Sequence, residues 1–137
     1  MWLNYFHAWN LFRVVSKENM PGQKFVKIEF FVPAEQSESI RRALGDGGLG
    51  RIGRYSHCAA ETRVKGHWRP LEGARPHNGR IGEASSADEV KVEFVCRAER
   101  AGEAARLIRR MHPYEEPLIM VIPLANDEVD GSTKDIG

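Results

Sequence analysis

Residues 50–83, GRIGRYSHCAAETRVKGHWRPLEGARPHNGRIGE, gather most of the side chains in this sequence that are able to do chemistry. His57, His67, His77 and Cys58 offer nitrogen and sulfur donors of the kind that hold copper or zinc. Their spacing matches no closed zinc motif. His57 and Cys58 are adjacent, and neighbours on a strand point to opposite faces, so one ion is not shared by that pair. A turn through Lys65-Gly66 would bring His57 and His67 together across a hairpin, with His77 as a third donor. A divalent metal ion is the one cofactor these residues point to, and the competing reading is hydrogen-bonded structural histidines.

Arginines interleave with glycines through the same stretch. A guanidinium presents a planar fork suited to carboxylate or phosphate, and glycine lets backbone N–H groups approach an anion closely. Arg51, Arg54, Tyr55, Arg69, Glu72 and Arg75 therefore form the candidate ligand-binding set, for an anionic metabolite or nucleotide held at a subunit cleft. The competing reading pairs these arginines with Glu61, Glu72 and Glu83 to hold a long connection in place. Tyr55 and Trp68 have the shape to stack on a base, although aromatics on short strands more often pack on the sheet. No Ser/His/Asp arrangement or paired carboxylate is indicated, so no catalytic set is assigned.

The segment 45–50, GDGGLG, formally satisfies the dinucleotide fingerprint G-x-G-x-x-G. That fingerprint needs a strand before it and a helix after it. Here the order is reversed, and a glycine-rich connector is the expected reading.

The elements that must position these residues are legible in two related halves. VKIEFFVPAEQ at 26–36 is echoed by VKVEFVCRAER at 90–100. Val26, Ile28, Phe30 and Val32 alternate with less apolar neighbours, as do Val90, Val92, Phe94 and Cys96, and period two is the mark of a strand with one buried face. Pro33 suits the first position of a helix over 34–44 that Gly45 would end. Ala101, Ala104, Ala105, Ile108 and Met111 fall on one face of a second helix. Strands are expected after each helix, at 54–62 and 118–124. The chain then reads strand–helix–strand twice, an α+β ferredoxin-like arrangement with two helices on one face of an antiparallel sheet. The opposite face, with Phe25, Phe31 and Val95, would call for a partner.

Bulk properties narrow the function classes. The 137 residues suffice for one core, expected over 21–125, between an N-terminal extension (1–20) and a polar tail (126–137) that reads as frayed. Residues 1–19 place aromatics near helical spacing, as a helix packed on the domain or as an extension upstream of a start at Met20. Lys and Arg total 20 against 19 acidic residues, a formal charge of +1 that gives no general pull toward nucleic acid or anionic membranes. No apolar run approaches the roughly 18 residues of a membrane span. Two cysteines form no disulfide framework, and a cytoplasmic location with reduced thiols is expected.

Strand FFVP, then GRIGRYSHC, RPLEGARPHNGRIGE and finally HPYEEP, across residues 24–125, resemble the CutA-like domain of the YqfO branch of Nif-three-like proteins. In larger members this domain is inserted between two halves of a dinuclear-metal hydrolase-like protein, often labelled a type 2 GTP cyclohydrolase I homologue. Those halves and their metal-binding positions have no counterpart in this sequence. His112, Tyr114, Glu115 and Glu116 of HPYEEP also resemble a segment of CutA proteins, which, like PII proteins, are trimers of ferredoxin-like subunits. The resemblance implies a homotrimer and a non-catalytic module that binds a small ligand or divalent cation. Its alternative is an accessory subunit docking on a separate Nif-three-like metal protein. HPYEEP itself reads as a structural corner, with His112 at the negative end of the second helix, where a protonated imidazole is favoured.

Overall fold

The computed structural model describes residues 24–125 and 136–137. The aromatic segment 1–19 lies outside them. Four strands and two helices follow one another as β1 (Phe25–Val32), α1 (Ala34–Asp46), β2 (Ala60–Trp68), β3 (Ser85–Arg97), α2 (Ala101–Met111, entered through a 3-10 turn at Ala98–Arg100) and β4 (Ile119–Pro123). The sheet order is β2-β3-β1-β4 with every neighbouring pair antiparallel. Each strand–helix–strand unit is thus split by a strand of the other, which makes the fold ferredoxin-like.

The two echoed segments are the central strands, in register Val26↔Cys96, Ile28↔Phe94, Phe30↔Val92 and Val32↔Val90. Cross-strand partners share a face, so these eight side chains form one apolar layer. Ile40 and Leu44 of α1 and Ala104 and Ile108 of α2 close over it. Removing the methyl groups of a side chain such as Ile28, which is fully buried, costs about 2–5 kcal/mol in cores of this kind. Met111, expected on the inner face of α2, is instead exposed at its last turn.

Several boundaries differ from expectation for tertiary reasons. Helix α1 runs through Gly45 to Asp46 and is capped by Gly47. Gly45 is glycine because the His57 ring lies over it: a Cβ there would stand 2.0 Å from His57 Cδ2. The second strand begins at Ala60, not at 54, and runs straight through Lys65-Gly66 to Trp68. No turn forms at those residues, and the long connection of residues 69–84 carries the chain into β3. Cys58 consequently lies in the loop before β2, while Cys96 sits in the core, where burial pushes its thiol up to about 11. The fourth strand is limited to Ile119–Pro123.

Of the three apolar residues expected on the helix-free face, Phe31 and Val95 are half-buried there and Phe25 is not open to a partner. Phe25 is already buried within the chain, with the Arg97 guanidinium 5.5 Å from its ring centroid. Glu29 and Glu93 stand directly opposite each other, and Lys27 bridges them at 2.8 and 3.3 Å. Among the tail residues, 136–137 pair back onto the loop after α1, through an Ile52↔Ile136 bridge and the Gly137 N–H donated to the Arg51 carbonyl. The frayed tail expected over 126–137 does not hold for those two, and its other residues lie outside the described ones.

Candidate functional site

One end of the helix-free face carries a cleft of about 570 Å³. Its floor is the sheet itself: Phe31 from β1, Val64, Gly66 and Trp68 from β2, and Glu89 from β3. One wall is the connection 69–84, contributing Arg69, Pro70, Ala74, His77 and Asn78. The other is the HPYEEP corner, contributing Tyr114, Glu115 and Glu116.

Three local features build this cleft. In the β2–β3 ladder Val64 faces Glu89 and Gly66 faces Ala87, so the Glu89 side chain lies along β2 toward Gly66. A Cβ at Gly66 would meet Glu89 Oε1 at 1.7 Å. The glycine that reads as a turn in the sequence is therefore a gap in a strand, left for a carboxylate. Next, the connection is tied down by Trp68, whose Nε1–H donates to the Asn78 carbonyl at 3.1 Å, and by the Gly82 N–H donated to the Pro70 carbonyl at 2.8 Å. Gly79 adopts φ 101°, and a Cβ there would stand 2.5 Å from Ser85 Oγ, so only glycine lets the chain pass. Third, the Arg75 backbone N–H donates to Glu115 Oε1 at 2.8 Å and joins the two walls.

The corner is held from beneath by His112. Its Nε2 lies 2.6 Å from the Phe31 carbonyl, and its Nδ1 accepts the Tyr114 backbone N–H at 3.1 Å. A carbonyl only accepts, so Nε2 carries the proton and the ring is neutral. Burial lowers the imidazole below its ordinary range, outweighing the opposing pull of the Phe31 carbonyl and Glu89. The protonated imidazole expected at the end of α2 is thus replaced by a buried neutral one.

Tyr114 rests on that ring at 4.8 Å between centroids and also meets His77 at 5.7 Å and Trp68 at 6.4 Å. Its hydroxyl donates to Glu89 Oε2 at 3.0 Å. Burial first, and then this bond to a carboxylate, push the phenol up to about 12.

The candidate residues from the sequence divide into two places. Arg69, His67, His77, Tyr114, Glu115 and Glu116 line the cleft, Arg75 contributes its amide at the rim, and His112 lies behind it. Arg51, Arg54, Tyr55 and His57 belong to the loop between α1 and β2, and Glu72 to an exposed turn of the connection. Arg51 donates to the Gly53 carbonyl at 3.2 Å, and Tyr55 is 76% exposed. His57, at φ 58°, holds Asp46 Oδ1 through Nε2 at 2.9 Å and Ser56 Oγ through Nδ1 at 3.0 Å. It clamps the end of α1, and without a turn at Lys65-Gly66 it does not meet His67. Among the described residues no three His, Cys, Asp or Glu side chains converge as metal ligands. Phe31, expected on the uncovered face, belongs to the cleft floor, and Glu89 is a cleft residue that the sequence did not single out. The only signal was a glutamate on the strand face opposite the apolar one, a position that ordinarily means solvent.

A four-stranded antiparallel sheet with two helices on one face is the CutA/PII-like version of the ferredoxin-like fold. No family model matches the chain. A Bacillus subtilis protein named GTP cyclohydrolase 1 type 2 homolog is 38% identical over 98 residues, 72% of this chain and 26% of its own length. A Bacillus cereus protein related to NIF3 superposes with a TM-score of 0.66 and 35% identity, covering 76% of this chain and 26% of that one. The periplasmic divalent cation tolerance protein CutA from Archaeoglobus fulgidus shares the fold at a TM-score of 0.60 and 20% identity, covering 82% of this chain and 99% of its own. The chain is thus similar in sequence to one part of the Nif-three-like relatives and in fold to CutA, and it spans less than a third of the length of the curated relatives it matches.

Proposed function

We propose that this chain is a non-catalytic binding module that assembles as a homotrimer in the cytoplasm and takes a small ligand into the cleft, in a regulatory or assembly role. The observation that carries this reading is the cleft itself, about 570 Å³ in volume with aromatic walls and a few convergent polar groups, the usual make-up of a small-molecule site. Neither cysteine lines it, and His77 packs against the Tyr114 ring. The fold shared with CutA supports the trimer. A divalent cation is the weaker choice of occupant, since it would need donors that the cleft does not bring together.

The test is a solution mass by light scattering together with a thermal-shift screen of small molecules. Three times the 15.5 kDa chain mass supports the trimer, and a monomer at micromolar concentration removes it. A ligand that binds the folded state raises the melting midpoint by mass action, and that rise should vanish in Trp68→Ala.

A second reading is supported by the length of the relatives, in which the matching part is under a third of a much longer chain. In it the module docks in trans on a separate Nif-three-like metal protein. Co-elution of the two purified proteins, with no small-molecule shift, would favour it over the first.

A further inference from the structure

We propose that the cleft recognises a small organic cation, a guanidinium or protonated amine, whose charge is met by Glu89 and whose flanks are met by aromatic rings. This inference rests on reading the cleft as a ligand site and names the chemical class of the ligand. Glu89 is only 7% exposed, yet the one donor it is given is the Tyr114 hydroxyl on Oε2. Among the described residues no Lys, Arg or His forms an ion pair with it. Its other oxygen lies over the bare backbone of Gly66 at the floor of the cleft. Neither oxygen of Glu89 is among the buried side-chain atoms left without a partner, so Oε1 reaches the solvent of the cleft, where a positive partner would meet it. The Gly66 gap keeps the carboxylate in that place, and the open side of the site is where such a partner would enter.

The walls agree with the floor. Trp68 and His77 lie 6.4 and 5.7 Å from the Tyr114 ring, centroid to centroid, and the Tyr114 hydroxyl is bonded to that carboxylate. Aromatic faces attract ammonium and guanidinium groups, most strongly where water is excluded. An anion would meet three carboxylates, Glu89, Glu115 and Glu116, against Lys65 and Arg69. A bare metal ion would find no three-ligand set among the described residues and would gain little from the rings.

The experiment is calorimetric titration of the full chain with agmatine, which carries both a guanidinium and an amine, beside inorganic phosphate and zinc. Agmatine should bind, and Glu89→Gln, which keeps an acceptor for Tyr114 but loses the charge, should weaken it by about tenfold or more, the scale of a charge-assisted hydrogen bond. Trp68→Leu should weaken it as well, and supplies the same test if Glu89→Gln fails to fold. Silence with agmatine, tighter binding of phosphate or zinc, or full affinity in folded Glu89→Gln would each overturn the inference. If another small molecule shifts the melting point through Trp68 while agmatine does not bind, the ligand class falls and the cleft reading stands. If no small molecule binds at all, both fall.

Discussion

The Tyr114 hydroxyl donates to Glu89 Oε2 at 3.0 Å and fastens the HPYEEP corner to the middle of the sheet. Both groups are partly or wholly withdrawn from water, so each depends on the other for its hydrogen bond. Tyr114→Phe leaves the buried carboxylate without its donor and should destabilise the fold by about 1–3 kcal/mol. Urea unfolding at neutral pH measures this. A loss below a few tenths of a kcal/mol would mean that water already serves Glu89.

Gly66 and Glu89 should show strong coupling. Gly66→Ala puts a Cβ 1.7 Å from Glu89 Oε1, so the carboxylate must leave its place, at a cost of about 1–3 kcal/mol for an overpacked site. In a Glu89→Ala background the three nearest atoms that the new Cβ would meet are gone, and most of the penalty should disappear. A double-mutant cycle of melting or urea midpoints checks it, and simple additivity would contradict the geometry.

Gly45 and His57 predict a change of sign. Alanine is favoured over glycine inside a helix by about 1 kcal/mol, yet Gly45→Ala should destabilise because its Cβ would stand 2.0 Å from the His57 ring. Once His57→Ala has removed that ring, Gly45→Ala should become stabilising. Thermal melts of the two singles and the double decide the matter.

His112 sets a pH dependence whose direction follows from its neutral, buried state. Its folded value lies below the unfolded one of about 6.5. The unfolded chain therefore binds more protons in the window just below 6.5. This contribution to stability is fully present above 6.5 and is lost as the pH falls toward the lowered folded value. Stability measured between pH 5 and 7 should rise with pH, and His112→Gln should flatten that part of the slope as well as lowering stability throughout. An unchanged slope in the variant would show that another group titrates there.

What the sequence determined by itself is the frame. Burying one face of a strand forces period two, so 26–32 and 90–96 announced themselves, and their echo with the helices after them set the ferredoxin-like order. The second strand was legible only with the wrong bounds, 54–62, because β2 is an edge strand with most of its side chains exposed, and exposure leaves little alternation to read. Gly66 looked like a turn and His57 like a metal ligand because local pattern carries no record of what packs on top. Only the tertiary structure put Glu89 over one and the ring of the other over Gly45. The cleft was decided in the same way. A glutamate in an alternating strand reads as solvated until the connection 69–84 and the HPYEEP corner close over it, and those contacts join residues far apart in the chain.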